Sequence, residues 1–163
     1  MRELVLNIEG LGMILYSPPA VAHIPKNADY FQTHFQEPVD VARHVMGGQL
    51  TTFCTGSSGC FRVRFFDGPL DDEQVQASDF KLRLALQVHG GVICVRDLYD
   101  LLHWTPACPP NQQLSMPNGW YRLTVFSSLP ASGINGSNQV INVCLEAVDS
   151  KPQLCWEGVP SLC

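Results

Sequence analysis

The stretch Phe80-Lys-Leu-Arg-Leu-Ala-Leu-Gln-Val-His-Gly-Gly-Val-Ile-Cys-Val-Arg96 decides the fold class. Phe80, Leu82, Leu84, Leu86 and Val88 alternate with Lys81, Arg83, Gln87 and His89, and strand side chains alternate faces with period two. The segment therefore reads as a strand that is greasy on one side and wet on the other. Gly90-Gly91 tolerate the positive φ angles of a tight turn, and the apolar run Val92 to Val95 follows at once. The pattern predicts a half-buried antiparallel hairpin.

Working outward, the same signal recurs. Arg2 to Ile8 reads as a first strand, with Met13 to Tyr16 a short continuation beyond Gly10 and Gly12. Ser17-Pro-Pro then stops the ladder, because proline lacks the donor a strand needs. Asp29 is placed to cap a short helix in the aromatic segment Tyr30, Phe31 and Phe35. Pro38 to Met46 predicts a helix: proline fits its first turn, Asp40 favours its positive end, and Gly47-Gly48 stop it. Gln49 to Thr55 and Cys60 to Asp67 read as strands on either side of a Gly/Ser turn. Gly68 to Asp79 reads as a polar loop, and Leu98 to Trp104 as one helical turn. Met116-Pro-Asn-Gly119 is a turn leading into the strand Trp120 to Ser127. A Gly/Ser-rich loop joins that strand to Gln139 to Val148, and a last strand, Gln153 to Trp156, is expected at an edge.

About eight short strands with one or two short helices predict a mainly β fold, an antiparallel β-sandwich or partly open barrel. With 163 residues, no internal repeat and no shift in composition, residues 1–163 are expected to form one domain. Charged residues make up 15% and apolar ones 45%, which excludes a disordered chain. A formal net charge of −5 argues against nucleic acid as a partner. No run approaches the ~18 apolar residues of a membrane helix, and the first residues carry Glu3 and Glu9 instead of a signal core. A cytoplasmic location is the expectation.

Seven cysteines stand at positions 54, 60, 94, 108, 144, 155 and 163, without a Cys-x-x-Cys pair. Free thiols are expected, although Cys54 and Cys60 flank a turn that would let them approach. Cys163 adds the expectation that a homodimer can form. Histidines 23, 34, 44, 89 and 103 show no metal-ligand spacing, so no metal and no cofactor are expected. Ser57 and Ser58, in Thr55-Gly-Ser-Ser-Gly-Cys60, lack the strand-to-helix setting of a nucleophile elbow. No catalytic residue is assigned.

Two surface features remain. Asp67, Asp71, Asp72, Glu73 and Asp79 concentrate five acids in one loop region, without the alternating oxygen ligands of a calcium loop. They read either as a solvated connector that protects a sheet edge or as a docking loop for a cationic protein. Arg62, Arg64, Lys81 and Arg83 occupy wet faces, and would form a basic surface if their strands were neighbours.

Three segments carry a resemblance: Gly59-Cys-Phe-Arg-Val-Arg-Phe-Phe-Asp67, the Leu84 to Arg96 stretch, and Met116-Pro-Asn-Gly-Trp-Tyr-Arg-Leu-Thr-Val125. Over residues 50 to 150 their order is similar to that in small bacterial cytosolic β-sandwich proteins. These include immunity proteins beside secreted toxins and the nuclease inhibitor of competence systems. The resemblance implies a non-enzymatic protein that occludes a toxin or effector, a basic nuclease-type effector among them. The acids named above and the aromatics Trp104 and Trp120 are then the expected contacts. A small-ligand or carbohydrate-binding β-module is the alternative, and an enzyme of dispersed residues the third reading.

Overall fold

The computed structural model describes residues 1–68, 72–154 and 160–161. Their strands are β1 (Arg2–Ile8), β2 (Gly12–Tyr16), β3 (Leu50–Cys54), β4 (Gly59–Asp67), β5 (Phe80–Val88), β6 (Val92–Asp97), β7 (Gln113–Ser115), β8 (Gly119–Ser127) and β9 (Gln139–Val148). The helices are α1 (Tyr30–His34), α2 (Pro38–Gly47) and α3 (Asp72–Gln76), with 3-10 turns at Pro18–Val21, Leu98–Leu102 and Pro110–Gln112. The strands form two sheets, ordered β1-β4-β9-β8-β5 and β3-β2-β6-β7. Among the described residues the two sheets do not close into a barrel, in keeping with the mainly β fold expected. Pairing is antiparallel except between β4 and β9, which run parallel.

The five-stranded sheet matches the alternating sequence pattern. Leu4, Leu6, Phe61, Val63, Leu84, Leu86, Leu123, Val125, Ile141 and Val143 enter one buried cluster, and their neighbours along each strand face outward. The inner strands of the four-stranded sheet are buried more completely. All five residues of β2 are buried, and helical segments pack against β2, β3 and β6. Strands without a wet face read as apolar runs, which is why Met13–Tyr16 and Val92–Val95 do not alternate. Helix α2 presents Val41, Ala42 and Val45 to the core and ends at Gly48, whose φ of 70° is left-handed. Asp29 caps α1, its Oδ1 accepting from Gln32 N–H at 2.9 Å.

The hairpin expected at Gly90-Gly91 does not extend. The turn itself forms, with φ of 67° and 71°, and His89 and Val92 make a single bridge. Beyond it β5 pairs with β8, and β6 pairs with β2 and β7 in the other sheet. The buried Ser17 hydroxyl stands at the fork. It accepts from His89 N–H at 3.0 Å and donates to Val92 C=O at 2.7 Å, taking groups that a continuing hairpin would use. The Gly/Ser turn at residues 55–59 likewise joins strands of different sheets, β3 and β4, and β1 and β2 separate in the same way.

The polar segment after Asp67 holds the short helix α3 where a loop was expected. Of the expected strand Gln153 to Trp156, Gln153 and Leu154 are not in a strand, and Cys155 and Trp156 lie outside the described residues. Cys60, Cys94, Cys108 and Cys144 are free thiols, whereas Cys155 and Cys163 lie outside the described residues. Among the described residues no helix is long and apolar enough to cross a membrane.

Candidate functional site

The outer face of the five-stranded sheet gathers most of the surface residues singled out above. Cross-strand register places Arg64 beside Asn142, Asn142 beside Phe126, and Phe126 beside Lys81. One row down, Phe66, Cys144, Thr124 and Arg83 follow one another across the same strands. The centre of the face is therefore aromatic and small, and its margins are charged. Phe126, Thr124 and Cys144 are buried even though they point away from the core. Their cover includes α3, whose side chains line cavities on two sides. Gln74 and Ala77, just past the helix end, share a cavity of about 420 Å³ with Arg64, Phe66, Phe126 and Asn142. Asp72, Val75 and Gln76 share one of about 370 Å³ with Lys81, Arg83 and Thr124. Helix α3 thus lies over the sheet with a groove along either flank.

The basic surface differs from the sequence expectation. β4 and β5 are not neighbours, because β9 and β8 stand between them. Arg62 and Arg64 are joined instead to Glu3 on β1, at 3.0 and 2.7 Å. The Arg64 hydrogen bond leads in holding the Glu3 carboxyl below its ordinary value. Arg62 also donates to Asn138 Oδ1 at 2.9 Å, and Arg122 of β8 pairs with Glu146 of β9 at 3.3 Å. At the opposite edge, Lys81 and Arg83 have no ion pair among the described residues. Arg83, Arg122, Asp72 and Glu146 meet around a smaller cavity of about 180 Å³, so charges of both signs face one another there.

The acidic residues divide by role. Asp67, at the end of β4, pairs with Arg2 at 3.2 Å. Asp79 fastens the start of β5 to the segment after β8, its carboxylate accepting from Leu129 N–H at 3.0 Å. Asp72 and Glu73 stand exposed in the first turn of α3. Asp71 lies outside the described residues.

The two tryptophans are not a pair of surface anchors. Trp120 is half-buried on the outer face of β8, with its ring edge against Gly48 at the end of α2. Trp104 is fully buried and is removed from the set of contacts. Its ring packs edge-on against Tyr16 at 5.6 Å, and the Arg96 guanidinium lies 4.6 Å from its centroid. Leu98 and Leu101, spaced by three in the 3-10 turn, are buried as well, and Trp104 follows that turn into the core. Arg96, itself buried, bonds to Asp100 at 2.8 Å, Thr105 C=O at 2.7 Å and the Tyr16 hydroxyl at 3.2 Å.

Among the described residues no group of three or more His, Cys, Asp or Glu side chains is placed to hold a metal. No family model and no curated protein matches the chain. Two solved structures superpose on it. One, described as crocagin biosynthetic gene J, superposes with a TM-score of 0.55 at 16% identity, covering 87% of this chain and 94% of its own. The other is ComJ of Bacillus subtilis, described as an inhibitor of the DNA-degrading activity of NucA. It superposes with a TM-score of 0.49 at 11% identity, covering 91% of this chain and 96% of its own. At these identities the likeness to the first structure is one of fold.

Proposed function

We propose that this protein is a non-enzymatic binding module that neutralises a protein toxin or effector by occluding it, through the outer face of the five-stranded sheet. The observation that carries the reading is the make-up of that face. The half-buried Phe66 shares this face with Arg62, Arg64 and Arg122, which carboxylates already hold in place. Exposed acids stand above it on α3. Apolar centres within polar rims are the common anatomy of protein interfaces, and side chains fixed before binding lose little entropy on docking. Asp72 and Glu73 suit a partner that brings cationic side chains, such as a basic nuclease, and their field would speed its approach. The partner would be the product of a neighbouring gene, and the role that of an immunity protein.

The test is co-expression with the products of adjacent genes. The wild-type chain is expected to restore growth to cells that make one of them and to co-purify with it in stoichiometric amount. Asp72→Lys with Glu73→Lys is expected to lose both effects while folding normally. No rescue and no co-purifying protein, or full rescue by the reversed variant, would overturn the proposal.

A further inference from the structure

A second site stands away from the sheet face just described, where α1, α2 and the 3-10 turn at Pro18–Val21 meet the start of β3. A cleft of about 300 Å³ opens there, lined by Tyr30, His44, His23, Arg43, Gln49 and Leu50 among others. That volume is at the small end of ligand pockets.

Its polar groups are held in place. His44 Nδ1 lies 2.7 Å from the Asp40 carbonyl one turn back in α2, a contact only an N–H can make. In the neutral ring this leaves Nε2 as an acceptor, and the Tyr30 hydroxyl lies 2.8 Å away to donate to it. Burial holds the His44 pKa below its ordinary value, which favours the neutral ring. The phenol ring is packed on several sides, with His34 at 4.8 Å, His44 at 5.7 Å, His23 at 6.2 Å and Phe35 at 6.3 Å between centroids. With its proton committed to His44, the Tyr30 oxygen is left as a fixed acceptor. Gln49 is oriented in the same way, because its Nε2 donates to Gln87 Oε1 at 2.6 Å and leaves Oε1 to accept. Leu50 supplies an apolar wall. At the mouth, Arg43 keeps one nitrogen on Asp40 at 3.0 Å, and its side chain is otherwise 70% exposed.

We infer that this cleft binds a compact organic acid with a hydrogen-bond donor opposite its carboxylate, a one-ring hydroxy acid being the best-fitting class. The donor meets the fixed oxygens of Tyr30 and Gln49, the ring lies against Leu50, and the carboxylate reaches Arg43. Arginine suits this role because its planar fork keeps donors free after one is used. The inference does not depend on the protein-binding face, since the two sites share no residue.

Three probes separate the contributions: 4-hydroxybenzoate, benzoate without the donor, and 4-hydroxybenzamide without the charge. Titrations of the intact protein, followed by amide chemical shifts, are expected to show saturable binding of 4-hydroxybenzoate. Each of the other two should bind about tenfold more weakly, the usual weight of one charge-assisted or buried hydrogen bond. Arg43→Gln, at an exposed position, should erase the preference for the acid over the amide. Tyr30→Phe should erase the preference for the hydroxy acid over benzoate. The inference is overturned if native protein gives no saturable shifts up to about 10 mM probe, a level that would reveal millimolar affinity. It is equally overturned if all three probes bind alike, or if Arg43→Gln keeps the full preference.

Discussion

Replacing Ser17 by alanine removes the hydroxyl that stands where β5 and β6 part. In the wild type that oxygen accepts from His89 N–H at 3.0 Å and donates to Val92 C=O at 2.7 Å, while Ser17 itself is fully buried. The alanine methyl fills most of the same space, so the cost comes from two backbone groups left without partners. Each unsatisfied group costs about 1–3 kcal/mol when sealed from water. His89 and Val92 are only half-buried, so water recovers part of the loss and the sum falls to about 2–3 kcal/mol. For a chain of this size that corresponds to about 4–12 °C in Tm. Urea unfolding followed by far-UV circular dichroism should show a lower midpoint at an unchanged m-value. A loss below about 0.5 kcal/mol with the m-value unchanged would refute the view that Ser17 satisfies this fork, because surface substitutions away from special features fall in that range.

Arg96→Leu should cost about 3 kcal/mol, the low end for breaking a buried ion pair, because Asp100 is 39% exposed and can return to water. Equilibrium denaturation measures it, and a neutral effect would mean that Arg96 does not hold Tyr16, Trp104 and Thr105 together. His44 makes stability depend on pH: its folded pKa lies below the unfolded one, so the unfolded chain binds the proton first. Stability from this group is complete above about pH 6.5, the ordinary histidine value, and is lost as pH falls from there through the folded pKa. The difference in unfolding free energy between pH 7.5 and 5.5 should therefore shrink in His44→Gln, and an unchanged difference would show that His44 is not the group responsible.

Faces were legible in the sequence, and partners were not. The strands of the five-stranded sheet place apolar residues at every second position on their inner face, so Trp120–Ser127 and Gln139–Val148 could be bounded from that spacing. Helix α2 carried its own start and stop signals in Pro38 and Gly48. The pairing expected across Gly90-Gly91 did not extend, because the chain there passes from one sheet to the other. Gly90-Gly91 encodes a tight turn, but Ser17, far away in sequence, sends the strands to different sheets. The site followed the same rule. Asp72 and Glu73 stand exposed as expected, whereas Arg62 and Arg64 meet Glu3 and not Lys81 and Arg83, a consequence of strand order. Tyr30, His44 and Gln49 form a cleft only because α1 and α2 fold onto β3, so no local spacing announced it.

The direct test of the protein-binding face is hydrogen–deuterium exchange on the complex with the co-purified partner. Slowed exchange should concentrate in Asp72–Gln76 and in the strands whose side chains flank it, β4, β5 and β8. Protection confined to α1, α2 and the start of β3, with the sheet face exchanging as in the free protein, would contradict the account.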